Sequence, residues 1–181
     1  PRYSCPTTIA MASPCCPTNV KPAINDYKGV GKNVTIDDCL EIYIIGDAVV
    51  NKDTGNNAII VATDVFGATN HAKQFADALA QATGYVVCMP TFIKDPWDPS
   101  NIPPTKSGKF PAGVEPADGT DCLVNWILNS HDLRIDRKDQ IEAVKSFLAE
   151  EYNVTNKVGA VGMCWGAKVC FNAAGKGLID A

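Results

Sequence analysis

Histidine is scarce in this sequence: of 181 residues only His71 and His131 carry an imidazole. No apolar run approaches the ~18 residues needed to cross a bilayer, so a membrane span is not expected. The sixteen Lys and Arg are scattered among twenty Asp and Glu, giving a net charge of −4. A nucleic-acid surface needs clustered positive charge and is excluded on that ground. No pair of CxxC units exists, and Cys15-Cys16 is too short a pair to close a zinc site, so no metal centre is expected. Gly159, Gly162 and Gly166 lack the G-x-G-x-x-G spacing, and no Walker lysine pattern occurs. No serine sits in a nucleophile elbow. The N-terminus has no basic-then-apolar signal pattern, which predicts a reducing, cytoplasmic setting.

What the chain does have is aliphatic content sufficient for one core, with eight cysteines, fourteen glycines and twelve prolines. Cys39, Cys88 and Cys122 adjoin apolar positions and read as small buried hydrophobes rather than as a disulfide framework. Residues 1–28, rich in Pro, Ser and Thr, read as a poorly ordered tail, and residues 29–181 as the folded domain. Two apolar stretches between Val34 and Val50, including Leu40–Ile45, are separated by Gly46-Asp47 and predict a pair of strands leading to a turn at Asp53–Asn57. Ala58–Ala62 and Tyr85–Met89 are continuous apolar runs, the pattern of strands buried on both faces. Between them Asn70 reads as the cap of a helix with Phe75, Ala76, Leu79 and Ala82 as its core stripe, stopped by Gly84. Residues 94–119, with six Pro and three Gly, form a long aperiodic connection, suited to a lid or pocket wall. Leu123, Trp126 and Ile127 mark a helix. Another runs from about Asp136 with Ile141, Val144, Phe147 and Leu148 inward. Lys157–Gly162 is a third buried strand, and Ala167–Ala174 a helix ended by Gly175 and Gly177. Strand–helix–strand alternation predicts an α/β fold, a mostly parallel sheet with helices on both faces.

In such sheets chemistry gathers beyond the carboxyl ends of the strands. Gly162-Met163-Cys164-Trp165-Gly166 occupies one of these ends and has the spacing of a nucleophile elbow, G-x-Nuc-x-G, with Cys as nucleophile. The glycines serve a strained turn in which Cβ atoms two residues either side would meet neighbouring backbone. The following helix aims its N-terminal N–H groups at the site, favouring an anionic sulfur and a developing oxyanion, with the Trp165 N–H as one donor. The plainer reading makes Cys164 a small buried residue and the glycines an aid to helix packing. Placement between a buried strand and a helix favours the elbow.

Gly162–Ala167 resembles the cysteine elbow of the dienelactone hydrolases, α/β-hydrolases with a Cys-His-Asp triad. Asn57–Asn70, NAIIVATDVFGATN, is similar to the family's first core strand, acidic residue and Phe-Gly turn. Gln74–Leu79, QFADAL, and Val86–Asp98, VVCMPTFIKDPWD, resemble the next helix, second strand and Pro-Trp loop of eukaryotic members. Met11–Pro17 is similar to the start of those members. The resemblance implies an α/β-hydrolase fold and acyl transfer on a lactone or small ester, without metal or organic cofactor. It implies Cys164 as nucleophile, with the Trp165 and Val65 N–H groups as the oxyanion hole. Asp64 falls where bacterial members carry a Glu that interacts with the resting cysteine, although an Asp at a strand end is equally a turn former. Lys94 lies near a substrate-binding Arg of some members.

α/β-Hydrolases order their triads as nucleophile, acid, then histidine. No histidine follows Cys164, and the one acid that does is Asp180. His71 and His131 precede the elbow and read as solvated helix-end residues. The expectation is a chain cut before the next strand, lacking the catalytic Asp and His, and so incomplete on the C-terminal side of its sheet, since hydrolase sheets of this kind commonly need ~200–250 residues. Such a chain would expose a strand edge and aggregate when expressed alone. The rival expectation is a non-catalytic domain or a thiol redox sensor using Cys164 or Cys170. Neither substrate identity nor oligomeric state is legible.

Overall fold

The computed structural model describes residues 26–37, 39–47, 55–94, 96 and 133–180. Their elements are β1 (Lys32–Ile36), β2 (Leu40–Ile45), β3 (Ala58–Ala62), α1 (Asn70–Thr83), β4 (Val86–Pro90), α2 (Lys138–Tyr152), β5 (Val158–Gly162) and α3 (Trp165–Gly175). The expected helix around Leu123–Ile127, the 94–119 connection beyond Pro96, Cys122, His131 and nearly all of the tail lie outside the described residues. None of the three described helices is long and apolar enough to cross a membrane.

The strands form one sheet in the order β1-β2-β4-β3-β5. β3 pairs in parallel with both β4 and β5, whereas β2 pairs antiparallel with β1 and β4. Only β2 therefore runs against the other four, and the sheet is mostly parallel as expected. Among the described strands β5 is an edge, paired on β3 alone.

Because successive strand residues face opposite ways, each central strand feeds two cores. Ile42, Ile44, Ile60, Val86 and Cys88 pack with Ile141, Val144 and Leu148 of α2 and Val169 and Ala173 of α3. Tyr43, Val61, Val87 and Met89 pack with Ala72, Ala76 and Ala80 of α1. Helices therefore cover both faces, and all five residues of β4 are buried. Each fully buried aliphatic in these layers contributes about 1.5–3 kcal/mol relative to exposure.

Five local expectations change. The first strand pair turns at Asp37–Cys39, where Asp37 has φ 50° and the Cys39 N–H reaches the Ile36 carbonyl at 3.2 Å, not at Gly46-Asp47. Asp tolerates the left-handed region, so the turn needed no glycine. Cys39 is consequently exposed rather than buried. The cap of α1 is Thr69, whose hydroxyl accepts the Ala72 N–H at 3.2 Å. Its buried stripe is Ala72, Ala76, Asp77 and Ala80, while Phe75 stands 40% exposed and Ala82 is exposed. Small residues let α1 lie close on the sheet, and Asp77 can be buried because it is fully partnered. It accepts the hydroxyls of Tyr43 and Tyr27 at 2.6 and 2.7 Å and the Val30 N–H at 3.0 Å. Finally, α3 starts at Trp165, two residues earlier than its apolar pattern indicated.

Candidate active site

β3 and β5 end in register, Ala62 opposite Gly162, and the Met163 N–H extends the ladder to the Ala62 carbonyl at 3.0 Å. The two parallel strands thereby deliver Thr63–Gly67 and Met163–Gly166 side by side at the carboxyl edge of the sheet, where open α/β folds concentrate chemistry. Cys164 is the residue between strand and helix, with φ 52° and ψ −115°, a conformation that L-residues rarely occupy. The turn closes through the Gly166 N–H to the Met163 carbonyl at 2.8 Å and the Ala167 N–H to the Cys164 carbonyl at 3.1 Å.

The glycines make this approach possible. A Cβ on Gly162 would meet the Gly166 carbonyl oxygen and would lie 2.5 Å from the Ala167 nitrogen. A Cβ on Gly166 would meet the Ala62 carbonyl oxygen and would lie 2.5 Å from that of Thr63. All four are backbone atoms that cannot rotate aside. Cys164 itself is exposed, so the plainer reading of it as a buried small residue does not hold.

Beside the elbow lies a cleft of about 530 Å³ lined by Asp64, Phe66, Thr69, Asn70, His71 and Met163. A larger hollow, about 710 Å³, lies against the C-terminal half of α1 and Tyr85, away from the carboxyl edge. Cys164 is among the lining residues of neither, and Met163 is the elbow residue that borders the smaller cleft. Asp64 lines the cleft and also forms its turn, its Oδ1 accepting the Phe66 N–H at 2.9 Å. Val65 is buried at 7% exposure between them. Lys94 is exposed beyond β4 and is not part of the cleft lining. His71, expected as a solvated helix-end residue, is exposed on the first turn of α1 and does line the cleft.

The Trp165 indole is 7% exposed; its Nε1–H donates to the Leu133 carbonyl at 2.9 Å, and the Arg137 guanidinium carbon lies 5.4 Å from the ring centroid. Sequence reasoning missed Arg137, since nothing local marks a surface-type residue for burial. Elsewhere, burial pushes the Cys88 and Cys170 thiols upward from the usual range. Among the described residues no cluster of three His, Cys, Asp or Glu is arranged to hold a metal ion.

A mostly parallel sheet with helices on both faces, and a sharp strand-to-helix turn of G-x-C-x-G spacing at its carboxyl edge, is the architecture of the α/β-hydrolase class. Residues 46–181 match the model of the Dienelactone hydrolase family, and the chain belongs to that family. It is 27% identical over 158 residues to a carboxymethylenebutenolidase homolog of Xenopus tropicalis, covering 85% of this chain and 53% of that protein. It is 30% identical over 166 residues to an uncharacterized AIM2 family protein of Schizosaccharomyces pombe, covering 88% of this chain and 58% of that one. The chain thus spans a little over half the length of each of these curated relatives.

Proposed function

We propose that this chain carries the nucleophile and the oxyanion hole of a cysteine hydrolase that opens lactones or small esters by acyl transfer. The observation that supports the reading most directly is Cys164, held exposed at φ 52° between β5 and α3 and level with the end of β3. Its sulfur attacks the carbonyl carbon, forming a C–S bond. The C–O bond to the leaving group then breaks, and the alkoxide leaves with the electron pair (tethered to the acyl group in a lactone) and takes a proton from solvent, balancing the one the thiol gave up to attack as a thiolate. The Trp165 and Val65 N–H groups, from the two adjoining strand ends, stabilise the intermediate oxyanion; such donors commonly contribute about 2.7–4 kcal/mol each to the barrier. Asp64 shapes the turn that presents Val65, and Lys94, although outside the cleft lining, is proposed as a cation for a polar substrate on the family resemblance alone.

Hydrolysis of the acyl-enzyme needs a base for water. On this reading the acid and histidine of the triad come from the part of the relatives' length that this chain does not span. His71 lines the cleft but precedes the nucleophile, against the order of this fold. Residues 29–181 act as one domain preceded by a tail, in the cytoplasm, on a small-molecule substrate and without cofactor or nucleic acid.

The test is single-turnover acylation with p-nitrophenyl acetate and with a butenolide, followed by peptide mass spectrometry. The expected result is an acyl adduct on Cys164 that is absent in Cys164→Ala. Alkylation of Cys164 without any acyl adduct would favour the thiol-redox alternative.

A further inference from the structure

We infer that Arg137 is a positioning residue for the acyl transfer proposed above, acting through the Trp165 ring to hold the peptide that joins nucleophile and oxyanion donor. The inference rests on that proposed reaction. Cys164 occupies a backbone conformation that persists only where its surroundings over-determine it. The hydrogen bonds of Gly166 and Ala167 fix the inner side of the turn. On the outer side the anchor is the Trp165 side chain, the first residue of α3.

That ring is held at two points by one segment. The Leu133 carbonyl takes its Nε1–H at 2.9 Å, and Arg137 lies over its face at 5.4 Å, inside the ~6 Å range of cation–π attraction. An edge contact and a face contact together fix both the position and the tilt of the indole. Arg137 is in turn held in place: its carbonyl accepts the Ile141 N–H at 2.9 Å in the first turn of α2, and its guanidinium donates to Gln140 Oε1 at 3.2 Å. Arg137 is 4% exposed and Trp165 7%, so the attraction acts in a desolvated setting, where it is strongest. A buried guanidinium carries a desolvation cost that an apolar side chain of similar volume avoids, so packing alone does not account for it. With the indole pinned, the Trp165 N–H keeps its direction through the reaction, and a donor oriented beforehand stabilises an oxyanion without reorganising.

The experiment is the p-nitrophenolate burst of the protein over a range of p-nitrophenyl acetate, comparing wild type, Arg137→Met, Arg137→Lys and Cys164→Ala. For Arg137→Met the acylation rate constant at saturation falls about tenfold, with half-saturation and burst amplitude unchanged. Arg137→Lys restores a cation over the ring but not the flat stacking of the guanidinium, and slows acylation by only about two- to threefold. A wild-type rate constant in Arg137→Met overturns the inference, and so does a loss confined to burst amplitude or to half-saturation, which marks a merely structural role. Should Arg137→Met not fold, Arg137→Lys decides: a measurable slowing of about two- to threefold at full amplitude supports the role, and a wild-type rate overturns it. A burst that survives in Cys164→Ala refutes the underlying reaction instead. The two failures are therefore distinguishable.

Discussion

The Tyr43 hydroxyl donates to Asp77 Oδ1 at 2.6 Å, joining the middle of β2 to the buried face of α1. Both residues are nearly inaccessible, at 3% and 6% exposure. The same carboxylate accepts the Tyr27 hydroxyl and the Val30 N–H, and the Tyr43 oxygen accepts the Gly31 N–H at 2.7 Å. One carboxylate thus fastens the segment before β1 to the helix–sheet interface. α1 in turn begins at the rim of the cleft, so this clamp reaches the site through helix placement.

Removing the carboxylate leaves buried donors without their acceptor, which is more costly than deleting a whole pair. Asp77→Ala is expected to destabilise the fold by about 2–3 kcal/mol and Tyr43→Phe by about 1–1.5 kcal/mol, with the double variant less than additive. Urea unfolding of the three variants checks this. Strict additivity would show that the 2.6 Å contact carries no energy of its own.

The same pair sets an alkaline limit. Burial first, and then the hydrogen bond to Asp77, push the Tyr43 hydroxyl well above its usual range. A group whose folded value is raised gives stability that is whole below the unfolded value, about pH 10 for tyrosine, and that is lost as pH rises toward the folded value. Stability is therefore expected to decline above about pH 10, this residue contributing up to about 1.4 kcal/mol per pH unit. Tyr43→Phe should show a shallower decline. An unchanged slope in that variant would remove Tyr43 from the account.

Much of the frame was legible because its signals are local. The run Ala58–Ala62 is too apolar for a one-sided strand and is buried at all but Ile59. Val158–Gly162 forms its strand as expected but is buried at Val158 alone, because it is paired on β3 only among the described strands. G-x-C-x-G between that run and a helix encodes its own turn. The misreadings came from choices made at long range. α1 offers two apolar stripes, one through Phe75 and one through Ala72, Ala76 and Ala80. Hydrophobicity favours the phenylalanine. The partner that selects the alanine face is Tyr43, through Asp77, and no window centred on the helix contains it. Arg137 is hidden for the same reason, since its aromatic partner Trp165 lies on another element. The turn at Asp37 escaped notice because an aspartate fills a left-handed position where glycine is the usual signal.

Glycine substitutions separate close approach from conformational preference. Gly166→Ala drives a Cβ into the carbonyls of Ala62 and Thr63, so α3 must shift away from β3. The expected cost is about 1–3 kcal/mol or more, accompanied by loss of acylation at Cys164. Gly175→Ala is the control, in the last turn of the same helix with nothing within 4 Å of the added atom. It is expected to leave the fold unchanged or to stabilise it by up to about 1 kcal/mol. Thermal melts of the two variants check the contrast, and equal losses would show that the elbow glycine is not required by contact.

Thiol labelling orders the four described cysteines. Cys39 and Cys164 are exposed, Cys170 is half-buried and Cys88 has no exposure at all. Alkylation needs both access and a thiolate. Burial limits access at Cys170 and also pushes its thiol upward, so the two effects act in the same direction there. Cys88 lies between the sheet and α2, with its thiol raised still further by desolvation, and it can react only through opening of the core. Iodoacetamide under native conditions should therefore modify Cys39 and Cys164 first and Cys170 more slowly, leaving Cys88 intact until urea exceeds the unfolding midpoint. Timed quenching with peptide mass spectrometry reads each site separately. Early modification of Cys88 would mean that the α2 face of the sheet opens without global unfolding. In that case β4 would not be the rigid centre on which the alignment of the β3 and β5 ends depends.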